Sequence, residues 1–491
     1  MIKKQSSKNT TTSKSLKKPI KKNSLSVEQD NLNAETEKMT LLVNKQNDFF
    51  LSGQTRSIEW RKKQLELLYN AISSHEQEIF DALKQDLSKS PFESYMSEIG
   101  LVLTEIKHMR NHISQWSKPK HHLIPLFCFP GKGTIYPDPY GVTLIMSPWN
   151  YPFMLTLNPL VGSIAAGNCT VIKPSRYSPA TSLIIEKILK ETFPQEYIAV
   201  VQGGHIQNTA LLKQHFDFIF FTGSVSVGKT VMESAAQFLT PVCLELGGKS
   251  PCIIDKTADI EVAARRVVWG KFLNAGQTCV APDYILVDNS ILSKFSAAVD
   301  TEIKLQYGND PIHNDDYCKI INEKHFERLS SLVPQAQKDA SLNKIAPTVV
   351  QLGKLNVKEA IASPLMQDEL FGPIMPIISY DSIDDVISFI NSRNKPLALY
   401  LFTKDTALKK KIISSIRYGG GCINDVIFHV AIPNLPFGGV GESGMGNYHG
   451  KASFSTFTHY KSILSKPFIF DIKIKYAPYN NKLAFVKKLM K

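Results

Sequence analysis

Beyond residue 141, short apolar runs alternate with stretches of helical period, and few folds accommodate that alternation. The spacing predicts strands over 141–146, 169–172, 197–202 and 216–221, with helices over 152–167 and Pro179–Thr192 between them. Strands joined by helices pair in parallel, because a parallel pair needs a crossover of a dozen or more residues. The expected class is a doubly wound α/β sheet, which binds ligands beyond the carboxyl ends of its strands. A second α/β series follows Glu245, with helices near Ile260–Phe272 and 292–305 and strands near 284–287, 374–378 and Ala398–Phe402. Residues 48–116 read as helices, including one over 95–117, whose apolar positions are core faces with no assigned chemistry. Segment 454–475 reads as a hairpin or edge strand. A chain of 491 residues exceeds one compact core, so two or three domains are expected.

The formal net charge of +13 points toward nucleic acid until its location is considered. Residues 1–22 hold eight lysines and no acid, and without them the charge is +5. Residues 1–36 are rich in Ser, Thr, Asn and Lys and read as a disordered basic tail, so no nucleic-acid partner is expected. The tail lacks the apolar stretch of a secretory signal, and no run approaches the roughly 20 apolar residues that span a bilayer. Contact of the tail with an anionic membrane surface is the minority reading. The basic, weakly amphipathic end raises the same option, against a terminal helix docked on the protein. Seven cysteines without paired spacing fit a reducing compartment, and the expected location is cytoplasmic. His108 and His112 stand at a spacing that can hold zinc, but no glutamate follows His108 and no third ligand is near. No metal is expected.

Several segments could carry chemistry. Asn274-Ala275-Gly276-Gln277-Thr278-Cys279 sets one cysteine between a glycine-bearing loop and an apolar strand. Leu244-Glu245-Leu246-Gly247-Gly248 sets a carboxylate on a second glycine-flanked loop. A thiol that attacks and a carboxylate that later deprotonates water would make covalent catalysis, although most buried cysteines are inert packing. In Ser147-Pro148-Trp149-Asn150-Tyr151-Pro152 the two prolines restrict Asn150, whose amide suits either an oxyanion hole or a turn. Lys173-Pro174-Ser175 follows a strand end, where a lysine meets ribose hydroxyls or simply solvent. Gly223-Ser224-Val225-Ser226-Val227-Gly228-Lys229-Thr230 matches the phosphate-loop pattern of nucleotide triphosphatases, with Asp255 as the magnesium ligand. The same turn fits a helix N-terminus facing a dinucleotide pyrophosphate, or a tight structural turn. Glu369-Leu370-Phe371-Gly372-Pro373 alone reads as a surface turn.

In this order, these segments resemble the aldehyde dehydrogenase superfamily from about residue 40 to the C-terminus, together with Leu435-Pro436-Phe437-Gly438-Gly439 and the glycines that follow. Tyr448-His449-Gly450-Lys451, with Phe454 and Phe457, resembles the class 3 branch that acts on fatty and aromatic aldehydes. The resemblance implies a Rossmann-like dinucleotide-binding domain (37–117 and 141–245), a catalytic domain (246–453) and a small β oligomerisation element (118–140 and 454–480). Basic tails at 1–36 and 481–491 complete the division. It implies an NAD- or NADP-dependent oxidation of aldehydes to carboxylic acids, with a homodimer as the working form. Cys279 would be the nucleophile, Glu245 the base that activates water, and the Asn150 amide an oxyanion donor. Lys173 and Glu369 would hold the cofactor riboses, with Ser175 beside the first. Phe371 would pack near the nicotinamide, and Gly223, Ser224 and Gly228 would start the helix facing the pyrophosphate.

One departure bears on the cofactor. The residue after Lys-Pro-Ser is often Glu in this superfamily and here is Arg176, so NADP is expected to be accepted. Trp149, Tyr151 and Val426-Ile427-Phe428-His429 are candidates for an apolar substrate tunnel, or for core. The competing readings are a coenzyme A-acylating dehydrogenase, a phosphate-loop NTPase, and a non-catalytic protein on the same fold.

Overall fold

A computed structural model describes residues 21–469, 471 and 473–490. Two six-stranded sheets organise it. The first has the order Gly444–Met445, Val242–Glu245, Phe218–Thr222, Val142–Met146, Cys169–Lys173, Ile198–Val200, and only its two-residue edge strand runs antiparallel. The second has the order Thr348–Lys354, Ile374–Tyr380, Tyr284–Asp288, Pro251–Ile254, Ala398–Phe402, Gly420–Ile423 and is parallel throughout. The doubly wound class therefore holds in two copies. Val142–Met146, Phe218–Thr222 and Ala398–Phe402 are buried along their whole length, as expected of parallel strands covered on both faces.

The register sets the site. Met146 pairs with Lys173 and Thr222 with Glu245, so the carboxyl ends of neighbouring strands deliver their following loops to one edge. Helix Met154–Ala166 is buried at every residue. An added Cβ on its Gly162 would lie 2.9 Å from Ser453 Cβ, so this glycine lets the helix Lys451–Thr456 approach closely. The Gly444–Met445 strand belongs to the first sheet although it follows the second in sequence, and Leu246 N–H donates to the Ser443 carbonyl at 3.1 Å. The C-terminal motif thus closes over the loop that starts at Glu245.

One expectation changes and another is narrowed. Residues 21–36, read as part of a disordered tail, belong to the helix Lys21–Leu51, while 1–20 lie outside the described residues. Leu32, Thr36, Met39, Val43 and Gln46 form a helical stripe, thinned by polar residues, that faces the protein. Gln214 ties it down, accepting from Thr40 Oγ1 at 2.9 Å and donating to the Thr36 carbonyl at 3.3 Å. Of the two readings of segment 454–475, the edge strand holds and the hairpin does not. The helix Lys451–Thr456 takes its start, and one strand, Thr458–Ser465, then pairs antiparallel with Lys132–Pro139 in a three-stranded sheet. The C-terminal helix Leu483–Leu489 forms, with Leu483 and Phe485 exposed beside lysines. His108 and His112 are packing residues, with ring centroids 4.4 Å apart and His112 stacked on Trp116. No helix among the described residues is long and apolar enough to cross a membrane.

Candidate active site

Helix Ile260–Phe272 ends in a tight turn, Leu273–Gly276, that no regular helix could continue. Asn274 and Ala275 both sit at φ 51°, in the left-handed region that disfavours most side chains. Gly276 follows at φ 76°, and an added Cβ there would lie 2.3 Å from the Gly372 carbonyl oxygen. The turn is anchored through Asn274. Asn274 N–H donates to Glu93 Oε1 at 2.9 Å and its side-chain amide donates to the Asn150 carbonyl at 2.7 Å. Cys279, three residues on, is half-buried because it opens on two cavities at once.

The first, the more polar of the two, is a cleft of about 480 Å³ at the carboxyl edge of the first sheet. It gathers Asn150, Glu245, Cys279, Glu369 and Phe371 with Ser175, Gly223 and Ser224. It runs into a second hollow of about 280 Å³ that holds Lys173, Ser175 and Arg176. Gly228 is the exception among the expected site residues, because it faces away from both. An added Cβ there would meet Leu246 at 2.7 Å, so Gly228 serves helix–loop packing rather than ligand contact. Ser224 caps the helix Val225–Ala236 and leaves its N-terminus facing the cleft.

The other cavity lies on the opposite side of Cys279 and is almost wholly apolar. Tyr151, Ile427 and Phe428 line it as expected. Trp149 instead stands in the polar cleft, edge-on to Phe371 at 5.4 Å. Val426 packs on Gly270 and His429 packs between Tyr400 and Phe437, so neither lines the cavity.

Burial governs the ionisation of the cleft. It pushes the Cys279 thiol up to about 12, helped by Glu369 and Glu245, while the N–H groups of Cys279 and Val280 pull the other way. Glu245 is held well above the usual carboxylate range by burial. Its Oε1 meets only the Cys243 thiol, at 3.8 Å, and its Oε2 has no partner. Glu369 rises to about 8, through burial and then Asp283, against the Gly248 N–H and the Lys249 and Lys271 ammonium groups. Lys173 falls to about 8, through burial and then Arg176. Arg176 is exposed and lies over the Tyr177 ring at 5.1 Å.

The family model described as the aldehyde dehydrogenase family matches residues 32–463. The chain belongs to the aldehyde dehydrogenase family. It is 45% identical over 451 residues to a 4,4'-diaponeurosporen-aldehyde dehydrogenase of Staphylococcus aureus, covering 90% of this chain and 97% of that one. It is 42% identical to the dimeric, NADP-preferring aldehyde dehydrogenase of the dog, over 90% of this chain and 98% of that one. The solved structure of the substrate-bound state of Staphylococcus aureus AldH superposes with a TM-score of 0.89 at 44% identity. That match covers 92% of this chain and 99% of the other.

In this dehydrogenase the phosphate-loop match is a coincidence of spacing. Lys229 and Thr230 are exposed on the helix and line neither cleft nor hollow. Asp255 follows the strand Pro251–Ile254 of the other sheet, and its carboxylate accepts from Thr257 and Thr403. Sequence reasoning missed the helix residues Met96, Leu101 and Trp269 in the apolar cavity. Their residue types on predicted helices gave no sign of a site. Only the fold shows that this face meets the thiol.

Proposed function

We propose that this enzyme oxidises medium- or long-chain aliphatic or aromatic aldehydes to free acids through a covalent Cys279 intermediate. The observation that carries the reading is the position of Cys279, shared between an apolar cavity and a polar cleft that also holds Glu245 and Asn150. An aldehyde chain in the apolar cavity presents its carbonyl to the sulfur. Cys279 attacks to give a thiohemiacetal, whose oxyanion takes hydrogen bonds from the Asn150 amide and the Cys279 backbone N–H. One Asn150 N–H is held by the Gln277 carbonyl at 3.0 Å, which leaves the second for the oxyanion. Glu245, with its free oxygen in the cleft, takes a proton from water, which then cleaves the acyl–sulfur bond.

The remaining cleft fits a nicotinamide dinucleotide. A capped helix N-terminus suits a pyrophosphate, and Lys173 and Glu369 stand where ribose hydroxyls would be met. Two buried oxygens at its edge, Thr222 Oγ1 and Asn208 Oδ1, lack partners. When bound, the cofactor supplies the two-electron acceptor that turns the thiohemiacetal into a thioester. Arg176 borders the hollow with no carboxylate beside it, and it is the group that would pair with a 2′-phosphate. NADP is therefore read as an accepted and preferred cofactor, a preference also carried in the dog relative's name.

The strand Thr458–Ser465 is an exposed edge presenting Tyr460, Ile463 and Leu464, which favours a homodimer paired along this element. All seven cysteines stand unpaired, in keeping with a cytoplasmic location. Incubation with an aldehyde panel, NAD or NADP, and then coenzyme A tests the reaction. Free acid with equimolar reduced cofactor is expected, and a coenzyme A thioester as main product would contradict it.

A further inference from the structure

Among the charged residues buried in the helical region before the first sheet, three stand on one stretch, 89–98. Lys89 and Glu98 are fully buried, and Glu93 nearly so. Lys89 and Glu98 form an ion pair, and their other bonds lead to the active site. The Lys89 ammonium donates to the Asn150 carbonyl at 3.2 Å and lies 4.0 Å from the Tyr151 ring centroid. Glu98 Oε2 accepts the Phe153 N–H at 2.8 Å and the Met154 N–H at 3.2 Å. Segment 150–154 is thus gripped at its carbonyl by the cation and at its amides by the anion of one pair.

The nucleophile loop joins the same network. The Asn150 carbonyl also accepts from the Asn274 side chain, the Asn274 N–H donates to Glu93, and the Asn150 side chain donates to the Gln277 carbonyl. Tyr151 and Thr278 hydroxyls meet at 2.6 Å. The backbone that presents Glu98 is itself unusual. Tyr95–Ile99 is a π-helical turn, an insertion that re-aims the residues around it. Met96 and Ser97 in that turn line the apolar cavity while Glu98 faces the 153–154 amides. A buried ion pair is a poor device for stability, since apolar replacements are often neutral or better. What such a pair does supply is fixed direction at two points.

We propose that Lys89 and Glu98 are positioning residues that aim the Asn150 amide at the reaction centre beside Cys279. The proposal rests on Asn150 being the oxyanion donor, as argued above. A double-mutant cycle on the full chain tests it, using Lys89→Met/Glu98→Gln, which removes both charges together, and Asn150→Ala. The charge-pair variant is expected to keep its dissociation constant for the cofactor and to lose about 10²-fold in kcat, the effect of a small misplacement. In the Asn150→Ala background the same pair of substitutions is expected to cost less than about 3-fold. Equal losses in both backgrounds would show a purely structural role and overturn the proposal, as would an unchanged kcat in the first. Full kcat in Asn150→Ala alone would overturn both the donor reading and the proposal. Should the charge-pair variant not fold, Glu98→Asp shortens the grip and runs through the same cycle with the same criteria.

Discussion

The two sides of Cys279 are built by different means. Its polar side is made at the carboxyl ends of parallel strands, with Lys173 and Glu245 as last strand residues and Asn150 on the loop after Val142–Met146. Its apolar side is made of helix faces and a C-terminal turn, where Met96, Leu101, Trp269 and Phe437 are set by packing. The difference separates two tasks. On the proposed reading, the polar side holds charge and fixed geometry for chemistry and cofactor, whereas the apolar side sorts substrates by how much hydrocarbon they bury.

The sharpest way to break this comparison is to remove the atom that both sides share. Cys279→Ala is expected to lower kcat/KM on every aldehyde by at least about 10⁴-fold while leaving the cofactor dissociation constant unchanged. A loss restricted to long substrates would place the thiol in only one of the two tasks. On the polar side alone, Arg176→Glu is expected to reduce the ratio of kcat/KM for NADP over NAD by about 10²-fold, through loss of an ion pair and gain of a like-charge clash. An unchanged ratio in steady-state assays would remove Arg176 from the cofactor site.

On the apolar side alone, Met96→Ala is expected to cost about 10-fold in kcat/KM for a long-chain aldehyde and nothing for a short one, as a lost buried contact of roughly 1.4 kcal/mol. Equal losses on both would indicate a general disturbance of the loop. The smallest effect concerns pH. Burial raises the pKa of both Cys279 and Glu245 above their ordinary values. Turnover should therefore rise several-fold as pH increases into the alkaline range. A rate that falls with pH would mean that neither group must lose a proton.

The same contrast explains what the sequence disclosed. Strand–helix alternation located Pro179–Thr192, Ile260–Phe272 and Ala398–Phe402 to the residue, because period and length agree there. The polar side was legible because glycine and proline leave marks. Gly276 is required by a positive φ and a close carbonyl, and Pro148 and Pro152 frame Asn150. Gly228 looked like part of that set, but its contact is with Leu246, and a helix glycine gives no local sign of which it serves. The apolar side was not legible, since Met96 and Trp269 share their residue types and period with ordinary core. Nor was the network of Lys89, Glu93 and Glu98. Its partners are Asn150, Phe153 and Asn274, and no spacing along the chain encodes bonds across the fold. The helix over 21–51 escaped notice because its inward stripe is interrupted by Thr36 and Gln46, polar residues whose side chains bond the Leu32 and Thr170 carbonyls.

The claim on which the rest depends is that one sulfur carries the acyl group between the two sides. Rapid quenching of Glu245→Gln after mixing with an aldehyde and cofactor, followed by peptide mass spectrometry, tests it directly. The account predicts a burst of reduced cofactor approaching one per site, with an acyl adduct on the Cys279 peptide that persists because its hydrolysis lacks a base. Steady turnover at the wild-type rate with no adduct on that peptide would contradict it.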